Sequence, residues 1–168
     1  KKVIGLIDGQ SGNIGSINKS IKDLIKGRPY LLKVIKEGFD PATFDKIILP
    51  GQGAYATLIS NLKRLGIYKP LERYLKNNFS YLGICVGMQI LSDRGYEEKV
   101  TNGLGIINGD IKKLSNKNLI VPHMGWNSIQ LKKEDTIIKK NFDKKDFYFV
   151  HSYIYQNIKI SNILATTK

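Results

Sequence analysis

Leu82-Gly83-Ile84-Cys85-Val86-Gly87-Met88-Gln89 ends an apolar run on a cysteine that has glycine two residues before and two residues after it. The stretch from residue 79 to 84 is an apolar run of strand length. Gly83 lets neighbouring backbone approach, and Gly87 removes a side-chain clash where a helix would begin, so the stretch reads as a tight strand-to-helix turn. Such a turn lifts the sulfur out of the sheet and sets it at a helix N-terminus. Partial positive charge there favours a thiolate, and N–H groups left free in the first turn can bond to an oxygen that becomes negative. The competing reading is a lone cysteine packed as a small buried hydrophobe.

Working towards the N-terminus, Val3-Ile4-Gly5-Leu6-Ile7-Asp8 is another apolar run. It breaks into Gly9-Gln10-Ser11-Gly12-Asn13, after which Ile14, Ile17, Ile21, Leu24 and Ile25 recur at helical spacing. The unit repeats: a run over 31–35, then Ile47-Ile48-Leu49 ending in Pro50-Gly51-Gln52-Gly53, then a helix face at Leu58, Leu62 and Leu65. Tyr68, Leu71, Tyr74 and Leu75 mark a further short helix, with Pro70 tolerated in its first turn. Met88, Ile90 and Leu91 open another after the cysteine. Repeated strand-loop-helix units with apolar strands predict an α/β fold, with a mostly parallel central sheet flanked by helices.

Beyond Gly95 the rhythm changes to short candidate strands at 104–107, 111–114, 119–121, 126–131, 147–150 and 163–165. They predict an antiparallel extension of the parallel sheet. Asn116-Lys117-Asn118 and residues 132–135 read as plain turns, and no linker or internal repeat stands out.

The 168 residues and 19.0 kDa suit one domain with its own core, and 42% apolar content is well away from disordered compositions. The formal charge of +13 comes almost wholly from Lys, scattered singly and in pairs, with Arg only at positions 28, 64, 73 and 94. Phosphate recognition favours clustered Arg forks, so this distribution reads as solvated faces and no nucleic-acid partner is expected. A single Cys excludes an internal disulfide and fits a reducing compartment. Without a membrane-length apolar run or a signal-type N-terminus, the expected location is cytoplasmic, with no membrane partner.

Pro50-Gly51-Gln52-Gly53 follows a strand, so it should reach the same C-terminal sheet edge as Cys85 and offer a second backbone donor to an oxyanion. It lacks the Lys-Ser/Thr ending of a phosphate loop, and Gly12-Asn13-Ile14-Gly15 lacks dinucleotide spacing. The chain has two His, His123 and His151, and on composition either could serve the cysteine as a base. Two His and one Cys make no convincing zinc set, so no metal and no cofactor are expected.

Taken together, these loops resemble the class I, triad-type glutamine amidotransferases, and among them the glutaminase subunits of imidazole glycerol phosphate synthases. The resemblance runs through 8–16, 49–55, 82–91, Gly103-Leu104-Gly105, 121–127 and 149–153. It implies that Cys85 is the catalytic nucleophile that hydrolyses glutamine to glutamate and ammonia through a thioester. It makes Val86, with Gln52 or Gly53, the oxyanion hole. It puts Gly51, Gln89, His151, Ser152 and Tyr153 at the substrate, with His151 a binding-region residue and not the base. It further implies that ammonia passes to a barrel-shaped cyclase subunit of a heterodimer in histidine biosynthesis, with Asn13, Met124 and Trp126 on the partner-facing surface.

The family's base His and orienting Glu sit in a Phe-His-Pro-Glu-like motif downstream of the position of His151. Residues 1–168 are therefore expected to be a single amidotransferase domain that lacks its C-terminal part. Gly9-Gln10 stands where the family has Tyr-Gly, and Gln52 stands where it has a small apolar residue. Relatives of the same subunit serve surface-sugar amidation, and an inactive scaffold of the same fold is a further alternative.

Overall fold

A computed structural model describes residues 1–77, 80–115 and 120–167. Its centre is a four-stranded parallel sheet in the order β2-β1-β3-β4, built from β1 (Lys2–Ile7), β2 (Tyr30–Ile35), β3 (Lys46–Gly51) and β4 (Ser80–Cys85). The intervening helices are α1 (Ile14–Ile25), α2 (Tyr55–Arg64) and α3 (Tyr68–Lys76), as the apolar spacing predicts. Asn13 caps α1 by accepting the Ser16 N–H at 3.1 Å.

The core lies between the sheet and α2 and α3. Ile7, Ile47 and Leu49 meet Tyr55, Leu58, Ile59 and Leu62 of α2, then Leu71 and Tyr74 of α3. Burying each of the aliphatic side chains stabilises the fold by about 1.5–3 kcal/mol. The sequence offers α2 no side-chain cap at Ala54; instead the distant Glu97 carboxylate accepts from the Tyr55 N–H at 2.8 Å.

After Cys85 the helix is much shorter than the pattern at Met88, Ile90 and Leu91 suggests. α4 is the single turn Val86–Gln89. One turn cannot persist on its own hydrogen bonds, and neighbours supply the rest. Tyr81 Oη donates to the Gly87 carbonyl at 2.6 Å, and Tyr155 Oη lies 3.3 Å from the Met88 carbonyl. The expected strand at 104–107 is absent because its N–H groups serve the same purpose. Leu104 donates to the Ile90 carbonyl at 2.8 Å, and both Ile106 and Ile107 donate to that of Leu91 at 2.9 Å. An apolar run read as a strand is in fact the lid on a helix end.

In place of an antiparallel extension of the central sheet there are two separate small sheets. One has the order β10-β7-β5-β6, from β5 (Arg94–Gly95), β6 (Thr101–Asn102), β7 (Asp110–Lys113) and β10 (Tyr153–Gln156), and is mixed, with β5 and β7 parallel. The other is the antiparallel sheet β11-β8-β9, from β8 (His123–Leu131), β9 (Asp146–His151) and β11 (Ala165–Thr167). β11 begins where the run at 163–165 was expected to end. The turn at 116–118 and Leu119 of the candidate strand 119–121 lie outside the described residues, and Ile120 and Val121 are not in a strand. β5, β6 and β10 carry too little apolar alternation to announce themselves. No helix among the described residues is long and apolar enough to cross a membrane.

The close approach of α4 to β3 generates a test. A Cβ on Gly87 would collide with the Leu49 carbonyl, whereas one on Gly15 near the start of α1 meets nothing closer than 3.8 Å. In urea denaturation, Gly87→Ala is expected to lose about 3 kcal/mol. Gly15→Ala should be neutral or gain up to about 1 kcal/mol. Equal stability of the two variants would show that the contact is not tight.

Candidate active site

Cys85 is the last residue of β4 and the N-cap of α4, with φ 54° and ψ −117°. Positive φ is costly for a residue with a side chain and is held only when the surroundings impose it. Here they do. A Cβ on Gly83 would lie 2.5 Å from the Gly87 carbonyl oxygen, and one on Gly51 would lie 2.7 Å from the Gly87 N–H nitrogen. The ends of β3 and β4 are thus pressed against the first turn of α4, and the chain can leave β4 only through a sharp corner. Cys85 stands exposed on that corner, which rules out the buried-hydrophobe reading.

The sulfur opens into a cavity of about 300 Å³. Gln52, Gly53, Cys85, Val86, Gln89, His151, Ser152 and Tyr153 all line it, so eight of the residues singled out in the sequence meet in one place. Gly51 does not reach it; it is buried beneath α4 and serves the close packing. Glu97, Pro122 and Val150 complete the wall; the latter two fall in the stretches 121–127 and 149–153 that carry the resemblance, whereas Glu97 had no sequence signal. Asn13, Met124 and Trp126 lie outside.

Each wall has an identifiable support. The 9–13 loop grips Gln52 at both backbone groups: the Gln52 N–H donates to the Ser11 carbonyl at 3.3 Å, and the Ser11 hydroxyl donates to the Gln52 carbonyl. The loop is itself tied to α2 by Asn61 Nδ2, 3.0 Å from the Gly9 carbonyl, and by Arg64 on the Gln10 side chain. Of the two amides expected to face an oxyanion on this loop, that of Gln52 is therefore already engaged. The Gly53 N–H has no partner among the described residues and sits on the cavity wall. The Val86 N–H is likewise without a partner, as the first amide of a helix should be.

Opposite, the chain leaves β9 at His151, crosses at Ser152 and joins the other small sheet as β10. This crossing puts 151–153 on the cavity rim. The Ser152 carbonyl accepts from Leu114 N–H at 2.8 Å, and Gln89 Nε2 donates to the Tyr153 carbonyl at 3.1 Å. His151 Nε2 lies 3.0 Å from His123 Nδ1, and His151 Nδ1 lies 3.2 Å from the Tyr153 carbonyl. The other nitrogen of His123 is 2.7 Å from Asn127 Nδ2. All four ring nitrogens are thus engaged, which leaves neither histidine arranged as a base for Cys85. Burial holds the His151 imidazolium below its ordinary value, the neighbouring His123 acts in the same direction, and the Tyr153 carbonyl opposes them. Among the described residues no group of three or more His, Cys, Asp or Glu is placed to hold a metal ion.

Residues 13–167 match the family model described as glutamine amidotransferase class-I, and the chain belongs to that family. Within it, the chain is similar to proteins named imidazole glycerol phosphate synthase subunit HisH. The one from Pelagibacter ubique is 38% identical over 98% of this chain and 80% of its own length. A second, HisH 1 of Campylobacter jejuni, is 39% identical over 90% of this chain and 74% of its own. The fold matches that of a crystal structure of glutamine amidotransferase, with a TM-score of 0.66 at 14% identity, covering 96% of this chain and 78% of that one. It also matches a chain in the structure of PurLQS from Thermotoga maritima, with a TM-score of 0.67 at 17% identity, covering 99% and 74%.

The depressed His151 has a measurable sign. A neutral folded histidine means that the unfolded chain binds the extra proton first, so the histidine's contribution is present above pH 6.5 and is lost as pH falls below it. Unfolding free energies on either side of pH 6.5 should fall more steeply with acid in the wild type than in His151→Asn. Parallel pH dependences would contradict the burial of a neutral imidazole.

Proposed function

We propose that this chain is the glutaminase partner of a synthase, and that the cavity binds the side-chain amide of glutamine for attack by Cys85. Sγ adds to the amide carbon, and the oxygen that becomes negative is received by the N–H groups of Val86 and Gly53. Collapse of this adduct breaks the C–N bond and releases ammonia, leaving a glutamyl thioester. Water then cleaves the thioester, giving glutamate and the free thiol.

The observation that carries this reading is the exposed Cys85, held at positive φ on a cavity it shares with Gly53 and Val86, whose N–H groups have no partner among the described residues. Gln89, Ser152 and Tyr153 line the rest, on the side where the remainder of glutamine would lie. Proton transfer needs an acceptor other than His123 and His151, whose nitrogens are committed. The family resemblance assigns it to a downstream His oriented by a Glu, with residues 1–168 belonging to the same single amidotransferase domain.

The ammonia goes, in this reading, to a barrel-shaped cyclase subunit that joins it to a phosphorylated ribulosyl intermediate in histidine biosynthesis. The names of the relatives support this partner. So does the outer face of β8 and β9. There Met124 pairs with Val150 and Trp126 with Tyr148, the four side chains 55–71% exposed. Trp126 and Tyr148 meet edge to face at 5.7 Å. Apolar cross-strand pairs left in water at the margin of a reactive cavity suit a docking surface.

In complex with the cyclase subunit the protein is expected to release ammonia from glutamine. Cys85→Ala should lower the rate by at least about a thousandfold while leaving the complex intact. Ammonia release that survives Cys85→Ala contradicts the assignment, and copurification with a surface-sugar synthase instead of the cyclase redirects the partner.

A further inference from the structure

Asn127, His123, His151 and Gln89 form one hydrogen-bond chain that converges on a single carbonyl at the cavity rim. Along β8, His123 and Asn127 point inward while Met124 and Trp126 point outward, and His123 is paired in register with His151 of β9. His123 also stacks on Phe149 at 5.0 Å and 19°, which fixes the plane of its ring.

Counting hydrogens along this chain leaves one arrangement. The Tyr153 carbonyl can only accept, so His151 Nδ1 carries its hydrogen. A neutral His151 then accepts at Nε2, which requires a hydrogen on His123 Nδ1. His123 Nε2 is left to accept from the Asn127 amide. Both imidazoles are therefore neutral Nδ1–H tautomers, the less common form of a histidine side chain in water. Gln89 Nε2 supplies the second donor to the Tyr153 carbonyl.

We propose that His123 and Asn127 are positioning residues for glutamine hydrolysis: they fix His151 as a donor, and His151 with Gln89 aims the Tyr153 carbonyl and sets the 151–153 rim against the helix that begins after Cys85. The proposal rests on the cavity being a glutamine site. The chain of bonds joins β8, whose outer face is the apolar surface described above, to α4 through four side chains and one peptide group. Two donors on one carbonyl fix the plane of that peptide, and each needs a correctly oriented neighbour. Loss of the His123 hydrogen bond frees His151 to turn, and the Tyr153 carbonyl loses one of its two donors while Cys85, Val86 and Gly53 stay in place. Substrate binding should suffer more than turnover.

The chain has only two histidines, so its four imidazole nitrogens can be read by long-range proton–nitrogen NMR correlation on the whole protein at neutral pH, without glutamine. Both histidines are expected as Nδ1–H tautomers, and an Nε2–H tautomer at either one overturns the inference. Asn127→Asp puts an acceptor where a donor stood and is expected to move the His123 hydrogen to Nε2; an unchanged tautomer counts against the relay. In the complex with the synthase partner, His123→Leu should raise KM for glutamine roughly tenfold with kcat within about threefold. His123→Asn keeps a donor at the Nδ1 position and should recover most of that loss. Equal KM values for the two variants would contradict the positioning role. Wild type that is inert towards glutamine contradicts the glutaminase reading, whereas wrong tautomers with normal turnover contradict this inference alone.

Discussion

The closest constraint in the molecule is backbone on backbone: the first turn of α4 lies so near the end of β3 that Gly87 has no room for a side chain beside the Leu49 carbonyl. From that contact the rest of the site follows. Because α4 must start there, the chain can leave β4 only through a sharp corner, and the residue at the corner takes a φ of 54°. The strain at Cys85 persists because Gly51, Gly83 and Gly87 allow three backbone segments to approach and the buried side chains of α2 hold them there. What the fold gains for that strain is a thiol in the open, on a cavity also lined by Gly53 and Val86, whose N–H groups have no partner among the described residues.

A second consequence is that local hydrogen bonds at the site are supplemented by side chains and loops from elsewhere in the chain. α4 is one turn long: beside the local N–H groups of Ile90, Leu91 and Ser92, its carbonyls are held by the Tyr81 and Tyr155 hydroxyls, and the carbonyls just past its end by the N–H groups at 104–107. Gln52 is gripped by Ser11, and the Tyr153 carbonyl by Gln89 and His151. Long-range hydrogen bonds of this kind are worth about 1 kcal/mol each. Their larger effect is to leave the backbone donors one orientation, so that little reorganisation accompanies a developing charge.

This also explains what could be read in advance. The parallel sheet and α1 to α3 were legible because their burial is periodic: Leu58 and Leu62, or Ile47 and Leu49, are apolar for reasons internal to their own element. Cys85 was legible because the corner needs glycine on both sides of it. The strand expected at 104–107 failed for a physical reason, since its apolar residues join the core while its N–H groups go to the carbonyls of residues 90–92, just past the end of α4. The engagement of the Gln52 amide by Ser11 and the donation from Gln89 to the Tyr153 carbonyl could not be seen, because each joins residues more than 40 positions apart. Glu97 is the extreme case: a carboxylate with no motif around it both caps α2 and lines the cavity.

The account stands on Cys85 being presented to a pocket shaped for glutamine, and covalent labelling reads that directly. A glutamine-mimicking electrophile incubated with the protein should add once, at Cys85, as read by intact and peptide mass, with free glutamine slowing the reaction. Labelling of Cys85 by generic thiol reagents with none by the glutamine mimic would mean that the sulfur is merely exposed, and the account would fall.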